Sequence, residues 1–391
     1  MKLWFIFDTV MLKDENEDYY AINLNYKLWK ERYLKTFDSM VVSTRMKELS
    51  YQEIMAKKGY TISNGEGVEI KPITKYNKIT DAILNRKQIE KELREILDTV
   101  DCVIIRMPSP LGNIACDICR KYKKKYAIEM VACPWNNYRN HGHWLGKVVA
   151  PFMYYETKRQ CQKANRVLYV SKNFLQNRYP TNGKTTNASN VMINQSAPQV
   201  LEKRFAQINQ EKNVYRLGLV GTLGLKYKGH LVALKALKIL KREYPQIVIE
   251  LLGPGDDPQL KKYITKNNLE NNVILKGTLP SGEPVLNWMD QLDILVIPSY
   301  TEGLPRVLIE AMSRGCPAVG SSAGGIPELI RKELLHKPGD YNKLAKDIKR
   351  IIESKEYALL LAKENFDNAK QYATEQLDIR RNNFWQEFRD E

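Results

Sequence analysis

The chain has 391 residues, 43% hydrophobic and 27% charged, with a net charge of +16 and no low-complexity tract or internal repeat. That length exceeds what one core usually fills, so two globular domains are expected and a disordered or fibrous chain is excluded. No apolar run approaches the ~20 residues of a membrane-spanning helix; the apolar start at 3–7 is cut at Asp8 without a small-residue cleavage site, so it reads as a buried strand of a cytoplasmic protein.

Strand-like runs follow at 2–7, 40–44, 68–70, 102–106, 127–131 and 166–170, with helical patterns at 26–36 and 82–97 between them. This alternation predicts a first doubly wound α/β unit. Of six cysteines, Cys116 and Cys119 form a CxxC; without a second CxxC or paired histidines they read as buried free thiols, not a zinc site. Charge is concentrated here: residues 101–200 hold 15 Lys and Arg against 4 Asp and Glu, +11 of the total +16. The excess peaks at Lys123, Lys124 and Lys125 and includes Arg139, and over 146–166 basic residues interleave with Phe152, Tyr154 and Tyr155. Such a pattern fits an anionic membrane surface, a polyanion or a solvated helix face.

The turn-forming stretch 180–190 reads as the domain boundary. Beyond it, short apolar runs at 215–221, 247–253, 272–277 and 293–299 end in Gly or Ser, with a helical pattern at 230–241. A second parallel-sheet domain is expected, facing the first across a cleft, because ligands bind outside the carboxyl ends of such strands.

Residues 299–317, SYTEGLPRVLIEAMSRGCP, place Glu302 in a turn and Glu310 inside an otherwise apolar helix predicted from Pro305 to Arg314. The free amides of Gly303 and Leu304 at the helix start attract anions. Glu310 lies about 7.5 Å further along and needs partners if buried: a neighbouring backbone group, an ion pair, or two adjacent sugar hydroxyls accepted side by side. Residues 218–230, GLVGTLGLKYKGH, add a glycine loop carrying Lys226 and Lys228, suited to phosphate. The spacing of Gly218, Gly221 and Gly224 is also a loose relative of the dinucleotide fingerprint, with Glu250 as its ribose partner.

Taken in order, GTLGLKYKGH, LLGPGD, residues 275–319 and GGIPELI make residues 213–340 resemble the nucleotide-sugar-binding domain of family 4 retaining glycosyltransferases. The central signature is two glutamates with seven residues between, as Glu302 and Glu310 stand. CPWNNYRNHG (133–142) and residues 166–180 resemble the acceptor domain more faintly.

The resemblance implies an α/β protein of two Rossmann-like domains facing across a cleft, the GT-B fold. The acceptor-side domain would span 1–190, the nucleotide-sugar domain 191–372, and a helix, 373–391, would cross back to the first domain. Its apolar positions are Leu377, Ile379, Phe384, Trp385 and Phe388. The implied activity is transfer of a hexose from a UDP- or GDP-type donor to a glycan or lipid-linked glycan in surface polysaccharide biosynthesis.

Position by position, Glu310 would hold the ribose, and Glu302 with the Gly303 and Leu304 amides would meet the donor sugar and diphosphate. Lys228 would pair with the diphosphate, Gly221 belongs to the same loop, and His141 would line the donor pocket. Lys123, Lys124, Lys125 and Arg139 would serve the acceptor or an anionic membrane at the inner face. Thr222 stands where the family usually has an arginine, with Lys226 or Arg306 as replacements. Residues 8–20 stand where the family often has a glycine-rich loop. No Asp-x-Asp occurs among the matched motifs, in line with metal-independent transfer, and no cofactor beyond the donor and no nucleic-acid partner is implied. An NAD(P)-dependent oxidoreductase built on the Gly218 to Gly224 loop and a non-enzymatic polyanion binder remain the alternatives.

Overall fold

A computed structural model describes residues 1–57, 59–78, 80–140 and 144–391. The chain divides into two compact units, 1–134 with 151–188 and 378–391, and 135–150 with 189–377. The segment 135–150, expected in the first domain, thus belongs to the second unit.

The first unit is built on β1 (Lys2–Lys13), β2 (Tyr19–Ala21), β3 (Ser39–Glu48), β4 (Thr61–Ile62), β5 (Val68–Ile70), β6 (Cys102–Met107), β7 (Tyr126–Met130), β8 (Arg166–Tyr169) and β9 (Lys184–Asn187). Its parallel part runs β5-β3-β1-β6-β7-β8-β9. Contrary to the expected end at Asp8, β1 continues past an irregularity between Ile6 and Val10 and pairs antiparallel with β2. The charge that should have ended the strand is compensated: Arg45 lies 2.7 Å from Asp8, and the Tyr76 hydroxyl donates to it at 2.7 Å. A hairpin therefore occupies the place of a glycine-rich loop.

Two other expectations are corrected. The helix expected over 82–97 is interrupted at Asn85, giving Asp81–Leu84 and Arg86–Leu97. The boundary stretch 180–190 contributes edge strand β9, paired with β8, because its threonines suit an extended chain. All six cysteines are buried and unpaired; Cys116 and Cys119 lie on the helix Pro110–Lys121, and burial pushes the Cys119 thiol up to about 12.

The helix Thr374–Asp390 ends in the first unit, where Phe384, Trp385 and Phe388 are buried; Ile379, expected to be covered, is 50% exposed. The Arg166 guanidinium, buried at the start of β8, holds the end of this helix through Glu387 (3.2 Å) and Glu391 (2.6 Å). Arg166 and then Lys184 pull the Glu391 carboxyl down to about 2.

The second unit contains β10 (Arg216–Val220), β11 (Val248–Leu252), β12 (Val273–Gly277), β13 (Ile294–Ile297), β14 (Ala318–Ser321) and β15 (Leu335–His336). These are all parallel, in the order β12-β11-β10-β13-β14-β15. The order reverses between β10 and β13, where the crossover connections diverge and leave a crevice at the strands' carboxyl ends. In one helix layer, His230–Leu240 packs on Pro258–Lys266 and Tyr341–Glu353; in the other, Arg306–Ser313 packs on Glu283–Asp290 and Lys355–Ala369.

Candidate active site

The loops that leave β10 and β13 meet at this switch point. After β10 the chain turns through a short 3-10 helix, Lys226–Lys228, closed by Gly229 at φ +76°. A Cβ on Gly229 would lie 2.2 Å from the Pro298 carbonyl oxygen, so glycine lets the lysine turn press against the end of β13. The Tyr300 amide donates to the Tyr227 carbonyl at 2.7 Å and joins the loops.

This stitching brings Lys228 Nζ to 2.8 Å from Glu302 Oε1, and Ser299 Oγ donates to the same oxygen at 2.9 Å. Gly221 passes beneath the lysine: a Cβ there would stand 2.8 Å from Lys228 Cγ. Gly324 and Gly325 fit against the Glu302 and Gly303 backbone, where added Cβ atoms would come within 1.8 and 2.3 Å of the carbonyl oxygens. Ser299, Gly324 and Gly325 had no role in the sequence reading. The glycine pair lay in the GGIPELI motif, but its neighbour across the fold was not visible there.

The Gly303 and Leu304 amides donate to no acceptor among the described residues. They precede the helix Arg306–Ser313, whose N-cap is Pro305 and not, as expected, its first residue. With two amides without acceptors among the described residues beside a helix N-terminus, this turn can hold an anion. Arg306 is exposed at the first helical position.

Glu310 is half-buried on that helix, and its carboxylate has no hydrogen-bond or ion-pair partner among the described residues. Desolvation raises its pKa above the ordinary value, with Arg306 one turn away opposing the shift. Glu250 contrasts with it: Arg216 and Trp288 donate to it at 2.7 and 2.8 Å, and Lys276 lies at 3.5 Å. Burial alone would raise its pKa, but the Trp288 and Arg216 bonds hold it below the usual value. Gly218 packs on Leu292 and Trp288, where a Cβ would come within 2.2 Å. Gly218 and Glu250 are therefore structural, which removes the dinucleotide reading's glycine and ribose partner.

Thr222 is half-buried, with its methyl near Gly255; Lys226 is exposed and faces away toward a separate cavity. His141 lies outside the described residues. The basic run is not brought to the carboxyl ends of the first unit's strands. Lys123, Lys124 and Lys125 lie at the opposite, amino end, before β7, where Lys124 donates to the Val100 carbonyl at 2.5 Å and Lys125 to that of Arg389 at 3.2 Å. These two lysines tie their own unit together. Arg139, on the helix Pro134–Asn140, stacks over Trp135 with 5.7 Å to the ring centroid.

The sequence model of the family described as glycosyl transferases group 1 matches residues 201–371, which include both crevice loops and the helix carrying Glu310. Protein CapJ of Staphylococcus aureus is 37% identical over 382 residues, covering 97% of this chain and 94% of CapJ. The amylovoran biosynthesis glycosyltransferase AmsK of Erwinia amylovora is 38% identical over 134 residues, 32% of this chain and 33% of AmsK. Among solved structures, Anabaena Alr3699/HepE in complex with UDP and glucose superposes with a TM-score of 0.64 over 100% of this chain and 99% of that one, at 18% identity. That likeness carries the fold, GT-B with its parallel sheets; the matched family and near full-length relative carry membership. The chain belongs to the group 1 glycosyl transferases and is a glycosyltransferase.

Proposed function

We propose that the protein is a retaining, family 4 type transferase that moves a hexose from a nucleotide-diphosphate sugar to a glycan or lipid-linked glycan during surface polysaccharide synthesis. The observation that carries this reading is the Glu310 carboxylate, without a partner among the described residues, on the helix that directly follows Glu302, which pairs with Lys228, and the Gly303 and Leu304 amides. A ribose would supply the two hydroxyl donors that the protein withholds from Glu310. AmsK, named for amylovoran biosynthesis, supports the polysaccharide setting, and the UDP and glucose held by HepE support the donor class.

As the sugar–phosphate bond breaks, negative charge gathers on the departing diphosphate. Lys228 has three protons to share, so it can keep Glu302 in place and hold a phosphate oxygen at once. The Gly303 and Leu304 amides add donors already oriented for the anion, and such preorganisation costs no rearrangement during reaction. Glu302, fixed by Ser299 and Lys228, faces the sugar hydroxyls. The leaving phosphate takes the acceptor's proton in front-face attack, so no separate base, metal or cofactor is required. His141 serves the donor pocket.

We assign a peripheral, inner-face membrane contact to the helix Trp144–Lys163. In the first unit its Phe152 and Tyr155 are 62% and 68% exposed, and the same helix carries Lys158 and Arg159, the latter paired with Asp117 and Glu156. Among the described residues no helix is long and apolar enough to cross a membrane.

A thermal-shift panel of UDP, GDP, ADP and their sugars tests the donor class: one nucleotide should stabilise the chain selectively, and Glu310→Ala should sharply reduce that shift at the same nucleotide concentration. Equal stabilisation of wild type and variant would remove Glu310 from the nucleotide site.

A further inference from the structure

The lysine turn has a second side. Beneath Lys226 and Tyr227, between the helices His230–Leu240 and Pro258–Lys266, lies a cavity of about 340 Å³ walled also by Leu231, Lys235, His230 and Tyr300. It opens in the helix layer opposite the one carrying Glu310.

Its lining is selective. Tyr227 and Tyr300 offer ring surface, and Leu231, 43% exposed, offers an aliphatic edge. The Lys226 ammonium has no hydrogen-bond or ion-pair partner among the described residues, and the Lys235 ammonium lies 5.3 Å from the centre of the Tyr341 ring. The one acid in the lining, Asp257, is engaged as a helix cap, accepting from the Gln259 and Leu260 amides at 2.9 and 3.3 Å. His230 is 3% exposed; burial holds its pKa at about 4, and although the Gly221 backbone and Asp257 favour its charged form, it is a neutral wall at ordinary pH. Aromatic faces, an aliphatic edge and two cations suit a ring bearing a negative group. The volume, near the lower end of about 300–1,000 Å³ for small-molecule pockets, suits a single sugar better than a whole nucleotide sugar.

We propose that this cavity is a second binding site, for a monosaccharide carrying one phosphate or carboxylate, and that its occupancy is transmitted to Lys228. The link is short. Tyr227 walls the cavity, its ring centre is 5.6 Å from the Lys228 ammonium, and its carbonyl holds the Tyr300 amide two residues before Glu302. A ligand that moves the Tyr227 ring thus shifts the Lys228–Glu302 pair. Only this transmission rests on the donor reading given above; the cavity and its chemistry stand apart from it.

Calorimetric titration of the full chain with glucose 1-phosphate, glucuronate, glucose and inorganic phosphate tests the proposal. One of the two anionic sugars should bind about tenfold tighter than glucose or phosphate alone. Leu231→Trp, which fills the cavity from an exposed position, should abolish that binding, and Lys235→Glu should weaken it by about fivefold. Both variants should keep the wild-type melting temperature and nucleotide affinity, while Glu310→Ala should bind nucleotide about 30-fold more weakly but keep the anionic sugar. The site is refuted if neither anionic sugar binds, if inorganic phosphate binds as tightly, if binding survives in a folded Leu231→Trp, or if Glu310→Ala abolishes it. Transmission predicts that saturating sugar changes the affinity for whichever of UDP, GDP or ADP binds, by about fivefold; an unchanged affinity removes the link to Lys228.

Discussion

Two shielded acids of the second unit, Glu250 and Glu310, have opposite surroundings. Glu250, in the middle of β11, is 1% exposed and has three partners on neighbouring elements; the Glu310 carboxylate, half-buried, has none among the described residues and its pKa is raised. Burial alone therefore does not mark a functional acid. A carboxylate whose partners come from the fold is part of the fold, whereas one left without them waits for a partner from outside. Glu310 carries a standing cost in the free chain that a bound diol would offset.

The strongest break of this contrast is Glu250→Ala. Removing the acid leaves the Trp288 indole N–H buried without its acceptor and should cost about 3 kcal/mol of stability, discounted for the partly exposed Arg216. The midpoint of urea unfolding measures it, with nucleotide affinity of the surviving folded fraction unchanged. Next comes Glu310→Ala, which should leave stability nearly untouched and weaken nucleotide binding about 30-fold, the scale of hydrogen bonds to a charged acceptor. If the two variants lost the same property, the distinction between the acids would collapse.

Smaller effects sharpen it. Gly221→Ala places a methyl 2.8 Å from Lys228 Cγ, so the lysine must shift; kcat should fall about tenfold while the melting temperature changes little. Glu310→Gln should stabilise the free chain by about 1 kcal/mol at neutral pH, because it removes an ionised group from a desolvated place. The sign follows from the raised pKa. Folded chain binds this proton more tightly than unfolded chain, so the associated stability is present in full below the ordinary value of 4.5 and is lost as pH rises through the folded value. The advantage of Glu310→Gln should therefore vanish in unfolding curves near pH 4 and reach its full size above that window.

The strand and helix patterns were legible because apolar runs of the second half end in glycine or serine, as parallel strands do. All four expected strands there lie within β10 to β13 and their flanks. In the first half the same reading stopped β1 at Asp8, since a charge in an apolar run looks like an end. Arg45 and Tyr76, which neutralise it, come from 37 and 68 positions away in the chain. The bonds of Lys124 and Lys125 were hidden for a similar reason: a lysine's reach to a distant carbonyl leaves no trace in local sequence.

What the sequence alone determined was the alternating α/β order, the loop positions of Lys228 and Glu302, and the placing of Glu310 in an apolar helix. Each of these is written in local periodicity and turn chemistry. The packed fold was needed to show that Lys228 and Glu302 touch, that Gly221 and Gly324 make room for them, and that Glu250 has protein partners while the Glu310 carboxylate has none among the described residues. Those facts depend on strand order, which brings residues 74 positions apart to one crevice, and strand order is set by packing of the whole sheet.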